Sequence, residues 1–235
     1  MSQNGSVAVK SSGQTDTLVW QRWLQPLQGV MAVYQAPIDK EVVEVELEAF
    51  ANGKIRSTRV QLLACLRNHL NSGKAGLRDA FYSSNDGAAY VGMHAWLIDI
   101  LLQLLYAETQ KHRRGGDDLA VIAVGGYGRG EMAPYSDIDI MILMPKQPIE
   151  AHNKFIEFML YILWDLGLKI GHSTRSISES IAAARYDQTV LTSLLEMRYV
   201  AGDKSLWIKL ARAVQREIAK KKPLAYVEEK IMVRD

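Results

Sequence analysis

The stretch from Ala123 to Pro145, AVGGYGRGEMAPYSDIDIMILMP, decides how this chain is read. Four glycines, Gly125, Gly126, Gly128 and Gly130, fall within six residues, and Asp137 and Asp139 follow with one residue between them. Apolar runs flank the glycines: LAVIAV before them and IDIMILM after them have strand length and strand composition. Strand side chains alternate between faces, so Asp137 and Asp139 share one face while Ile138, Ile140 and Ile142 point to a core. Glycine tolerates positive φ and lets a ligand approach the main chain. Amide groups exposed at such a turn bind phosphate oxygens. Two neighbouring carboxylates repel unless a cation lies between them, and hard oxygen ligands select Mg2+ or Mn2+.

Two familiar phosphate motifs are excluded. Counting from Gly126, the third glycine of a dinucleotide fingerprint is replaced by Glu131. Gly125 and Gly130 have P-loop spacing, but Glu131 and Met132 stand where the lysine and the hydroxyl residue belong. What remains is a strand, a glycine turn and a helical turn expected to start near Arg129. A phosphate-binding turn beside paired acids suits in-line phosphoryl or nucleotidyl transfer, with metal activating the attacking hydroxyl. The plainer alternative is a tight turn ahead of a solvated strand face.

The chain has 235 residues, 48% hydrophobic and 23% charged, with a net charge of +2. That balance gives no bulk electrostatic case for nucleic acid, so phosphate binding must be local. One cysteine, Cys65, sits in an apolar run, which fits a cytoplasmic protein; it reads as a small buried residue with no acid or histidine partner suggested. Residues 1–16 read as a mobile tail with no signal peptide. The apolar stretch Tyr90–Ala107 is interrupted by His94, Asp99 and Gln103 and reads as a buried helix, not a membrane span. Residues 17–116 read as a helical region, with one helix starting after Pro37, a second stopped at Gly73 and a third over Tyr90–Thr109. Residues 117–202 read as the core, with a helix stopped by Gly167, a third strand in LKIGHSTRSI, and further helices capped by Ser176 or Ser178 and by Asp187. Within that reading DQTVLTSLLEMRYVAG is helical throughout. Residues 203–235 read as a C-terminal helical region opened by Asp203 and cut short, ending inside a helix, with Lys220–Lys222 as a solvated helix end. The fold class expected is α+β: a small mixed sheet flanked by N- and C-terminal helices.

The segment GGYGRGEMAPYSDIDIMILM resembles the nucleotidyltransferase domain of the bacterial PII uridylyltransferase/uridylyl-removing enzymes, in the DNA polymerase β-like superfamily. LWDLGLKIGHSTRSISE, ARYDQTVLTSLLEMRYVAGD and LRDAFYSSNDGAAYVGMHAWLIDILLQLL are similar to other segments of that family, in the same order. The resemblance implies transfer of UMP from UTP to a tyrosine of the nitrogen-signalling protein PII, with release of pyrophosphate. It implies that Gly125 and Gly126 contact the nucleotide phosphates through backbone, that Asp137 and Asp139 hold Mg2+ or Mn2+, and that Ser136 and Arg129 touch phosphates. The alternative for Arg129 is a surface pair with Glu131. The superfamily's third carboxylate is expected near Lys169–Arg175, but this stretch has no acid. His172, Asp187 and Glu196 are the substitutes, with a helix cap the plainer role for Asp187 and a structural role the plainer one for His172. The uridylyl-removing and glutamine-sensing segments of the family are not found here, so the chain reads as a fragment. Two other functions stay open: a nucleotide-binding regulatory module without catalysis, and a transferase with a different acceptor.

Overall fold

The computed structural model describes residues 38–50, 55–112 and 116–220. The expected tail at residues 1–16, and Lys221 and Lys222, lie outside the described residues.

The most apolar segment becomes the central helix. Three helices open the described chain: α1 (Lys40–Phe50), α2 (Ile55–Ser84) and α3 (Gly87–His112). In α3, Leu97, Ile98, Leu101, Leu102, Leu104 and Leu105 are all buried, so the helix is apolar around most of its circumference, as a core helix must be. It is long and apolar enough to cross a membrane by composition, and 72% of that window is covered by the protein's own elements. Helix α1 starts where Asp39 accepts the amides of Glu41 and Val42.

Helix α2 runs well past the stop expected at Gly73. Leu62, Leu66, Leu70, Gly73 and Leu77 form one buried stripe at spacings of three and four, so Gly73 belongs to the packed face and does not end it. The helix ends instead beside Asn85, which takes φ 53°. Cys65 is buried as expected, but it has the partners the sequence reading did not suggest. His69 stands one turn further along α2, and Glu46 reaches over from α1; both groups hydrogen-bond through the Glu46 carboxylate.

Four strands follow: β1 (Ala120–Ala123), β2 (Ile138–Leu143), β3 (Ile170–Arg175) and β4 (Arg198–Gly202). They form one mixed sheet in the order β3-β2-β1-β4, with β1 antiparallel to β2 and β4, and β2 parallel to β3. A one-turn helix, α4 (Gly125–Gly128), lies between β1 and β2, and α5 (Glu150–Asp165) makes the crossover to β3. Gly167, at φ 76°, follows α5 as expected. Helices α6 (Ile177–Tyr186), α7 (Gln188–Leu195) and α8 (Lys204–Lys220) complete the described chain.

The stretch read as one helix from Asp187 to Gly202 is corrected: α7 ends at Leu195, and Arg198–Gly202 is a strand. Its pairing with β1 is long-range, and RYVAG is too short for a period to declare itself. Both sheet faces are covered. Ile138, Ile140 and Ile142 join the core under α2, α3 and α5. Met141 and Leu143, on the opposite face, join Leu191, Leu194, Trp207 and Leu210 under α7 and α8. Asp139 shares that second face by alternation, at the end of β2 where side chains become exposed.

Candidate active site

The helical turn begins at Gly125, four residues earlier than expected, within the glycine turn itself. Val124 leads out of β1 in extended conformation, and its N–H donates to the Asp139 carbonyl at 3.0 Å, tying the turn to β2. Gly125 follows at φ 60°. The first bond of α4 runs from Gly128 N–H to Val124 C=O at 3.0 Å, followed by Arg129 N–H to Gly125 C=O at 3.1 Å. The amides of Gly125 and Gly126 precede the first such donor, where a helix has no internal acceptor for them. A Cβ on Gly125 would stand 3.6 Å from the Asp139 carboxylate, so turn and acid are neighbours.

Asp139 is seated by a glycine the sequence reading passed over. Its partner in register across the parallel pair is Gly171, and a Cβ there would lie 2.2 Å from Asp139 Oδ1. The carboxylate therefore occupies the space a side chain on β3 would fill. Burial first, and the charge of Asp137 second, push the Asp139 carboxyl above its ordinary value. Asp137 is exposed. A group whose ionisation is opposed by a neighbouring carboxylate gains from a hard cation, and the all-oxygen donor set fits Mg2+ or Mn2+.

The remaining candidates separate. Arg129 pairs with Glu131 at 2.8 Å and with Glu196 at 2.9 Å, and its guanidinium lies 3.7 Å from where a Gly126 Cβ would stand. Glu196 is brought to the turn by backbone as well: its carbonyl would meet a Cβ on Gly128 at 2.2 Å. Ser136 Oγ donates to the Ala133 carbonyl at 2.5 Å. Asp187 caps α7, accepting the amides of Thr189 at 2.7 Å and Val190 at 3.4 Å, and those bonds, Thr189's foremost, hold its carboxyl below the ordinary value. His172 is in register with Ile140, so it stands on the sheet face opposite Asp139, where it meets the ring of Trp164 edge-on at 6.0 Å.

A buried polar network beneath the turn was also missed. Arg198 donates to the carbonyls of Tyr127 at 3.0 Å and Gly128 at 3.3 Å, and pairs with Asp99 of α3. The Tyr127 hydroxyl donates to the other Asp99 oxygen at 2.7 Å. Burial pushes the Asp99 carboxyl up, and Arg198 and Tyr127 pull against that. Together these groups satisfy the carbonyls at the end of α4 and fix the turn to helix and strand. Asp99 was visible only as an interruption of an apolar helix.

On the other side of β2 lies a cavity of about 820 Å3, lined by Lys74, Arg78, Tyr90, His94, Ile138 and Lys169 among others. Ser136 is on its wall. Tyr135, beside Ser136, is 93% exposed and holds a left-handed φ of 66°, an uncommon conformation for a bulky residue.

The family model described as Nucleotidyltransferase domain matches residues 107–193, the part of the chain that holds the strand, the glycine turn tied to the next strand, and the paired acids. The similarity to known proteins extends further along the chain. It is 40% identical over 210 residues, 86% of its length, to the bifunctional uridylyltransferase/uridylyl-removing enzyme of Rhodospirillum rubrum. Proteins of the same name are 38% identical over 183 residues in Azospirillum brasilense and 40% identical over 184 in Gluconobacter oxydans, covering 75% and 77% of this chain. The matched parts are 22%, 20% and 19% of those proteins, so the chain spans about a fifth of the length of the curated relatives it matches.

Proposed function

We propose that this domain transfers UMP from UTP to a tyrosine hydroxyl of a PII-type signalling protein. The tyrosine oxygen attacks the α-phosphorus, the bond to the β-phosphate oxygen breaks, and pyrophosphate leaves. The observation that carries the reading is the placement of Asp139 against Gly125, with its ionisation opposed by burial and by Asp137. Uridylyl transfer, as opposed to another nucleotidyl transfer, is supported by the names of the relatives.

Asp137 and Asp139 would hold Mg2+ or Mn2+ through carboxylate oxygens. A divalent cation there supplies acidity to the attacking hydroxyl and neutralises charge on the leaving pyrophosphate. The amides of Gly125 and Gly126 hold phosphate oxygens, and Gly125 allows that approach. Arg129 swings from Glu131 and Glu196 to the phosphates, a short move for an exposed side chain above Gly126. Ser136 contributes from the loop leading into β2. Glu196 is the further carboxylate that the fold brings to the turn; Asp187 has a capping role, and His172 is on the far face. The network of Asp99, Tyr127 and Arg198 positions the turn without touching substrate.

The test is incubation of the chain with each labelled nucleoside triphosphate, Mg2+ and PII, followed by mass measurement of PII. A gain of one UMP, lost in Asp137→Asn, supports the proposal. Tight UTP binding with no pyrophosphate release in the presence of PII would replace it with the regulatory-module reading, and transfer to another acceptor alone would replace the PII assignment.

A further inference from the structure

Away from the glycine turn, α1 and α2 bring a thiol, an imidazole and a carboxylate together. Cys65 and His69 are four residues apart on α2 and so share a face, and Glu46 meets them from α1. Cys65 Sγ lies 3.4 Å from Glu46 Oε2, His69 Nε2 lies 3.0 Å from the same oxygen, and all three donor atoms fall within 4.8 Å of one another. Tetrahedral zinc, with bonds of about 2.3 Å to sulfur and about 2.0 Å to nitrogen and oxygen, has sulfur–oxygen and nitrogen–oxygen edges of roughly 3.5 and 3.3 Å. Two of the three edges are thus already close to those of a zinc site. The third, sulfur to nitrogen, needs about 3.5 Å. Cys65 is buried while Glu46 is exposed, which leaves a solvent side for a water as fourth ligand. Buried Glu108 acts on Cys65 through space and is itself paired with Lys111 at 3.3 Å.

We propose that Glu46, Cys65 and His69 form a binding site for a borderline-soft divalent metal of the zinc type, which joins α1 to α2. On binding, the Cys65 S–H bond breaks and its proton goes to solvent as the metal–sulfur bond forms. His69 binds through the Nε2 lone pair, with its proton on Nδ1, and Glu46 through Oε2. Without metal the thiol stays protonated, because burial and then Glu46 push it up to about 12. Metal therefore competes with one thiol proton, so apparent affinity rises with pH. A mixed thiolate, imidazole and carboxylate set is too soft for the Mg2+ of the acidic site. The inference is independent of the transferase reading.

The test uses the full chain carrying Asp137→Asn and Asp139→Asn, so that the acidic site is silent. Co2+ is titrated against the ultraviolet thiolate-to-cobalt charge-transfer band, and Zn2+ is then added. The expected result is a band saturating at one Co2+ per chain and displaced by Zn2+. Cys65→Ser abolishes it, and His69→Ala and Glu46→Gln each weaken binding at least tenfold. Zn2+ also raises the thermal midpoint of the Cys65-containing chain and leaves that of Cys65→Ser unchanged. No thiolate band, or a band whose affinity is the same in His69→Ala and Glu46→Gln, overturns the proposal; these two variants keep the thiol and so decide the matter even if Cys65→Ser fails to fold.

Discussion

Replacing Gly171 by alanine should disable the site while leaving the fold nearly untouched. The added Cβ would sit 2.2 Å from Asp139 Oδ1. To reach ordinary contact the oxygen must retreat by about 1 Å. What the Cβ meets is the end of a side chain, and the Asp139 Cα is 3.9 Å away, so the backbone has no need to move. Gly171 is not among the glycines at positive φ, and alanine is favoured over glycine inside a strand by roughly 0.5–1 kcal/mol. The stability change should therefore be within about 1 kcal/mol, or about 2–4 °C in Tm. A displacement of about 1 Å at a reacting centre costs on the order of 100-fold in rate. The assay is initial-rate uridylyl transfer to PII across Mg2+ concentrations, with thermal unfolding followed in parallel. A folded Gly171→Ala chain with transfer within twofold of the parent would refute the claim that this contact seats a metal-binding carboxylate.

Three further outcomes are expected. Arg198→Met removes the cation beside Asp99 in the core and leaves that carboxyl with the Tyr127 hydroxyl, so unfolding free energy should fall by about 3–5 kcal/mol by denaturant titration, and adding Asp99→Leu should recover a large part of it. Burial holds the His94 imidazole below its ordinary value, with Nδ1 3.2 Å from the Met132 carbonyl. As pH falls through about 6.5 the unfolded chain takes up this proton first, so stability declines from there down to the lower folded value; His94→Gln should remove that part of the decline between pH 7.5 and pH 5.5. The charge of Asp137 helps to raise Asp139, so carboxyl NMR titration of the metal-free chain should find Asp139 titrating lower in Asp137→Asn than in the parent.

What the sequence made legible follows from the range of the interactions involved. The glycine turn and the pair Asp137 and Asp139 were readable because they are local: a run of glycines and a two-residue period need no knowledge of the rest of the chain. The caps at Ser176, Asp187 and Asp203 were readable for the same reason, and each side chain accepts the amides expected of it. Strand β4 was not, because RYVAG becomes a strand only through its pairing with β1. Gly171 was hidden similarly: its need to lack a side chain comes from Asp139, on a strand 32 positions earlier. Asp99 and Arg198 are 99 residues apart, and neither spacing nor periodicity joins them. Cys65 is different, since His69 stands one helical turn away in the sequence and that signal was available.

The central claim is that Asp137 and Asp139 jointly bind a divalent cation beside the glycine turn. Mn2+ titration followed by electron paramagnetic resonance, with UTP present, tests it most directly. The account predicts that the parent chain takes Mn2+ from solution, that Asp137→Asn and Asp139→Asn each weaken that binding at least tenfold, and that the double variant abolishes it. Equal Mn2+ affinity in all four chains would contradict the account.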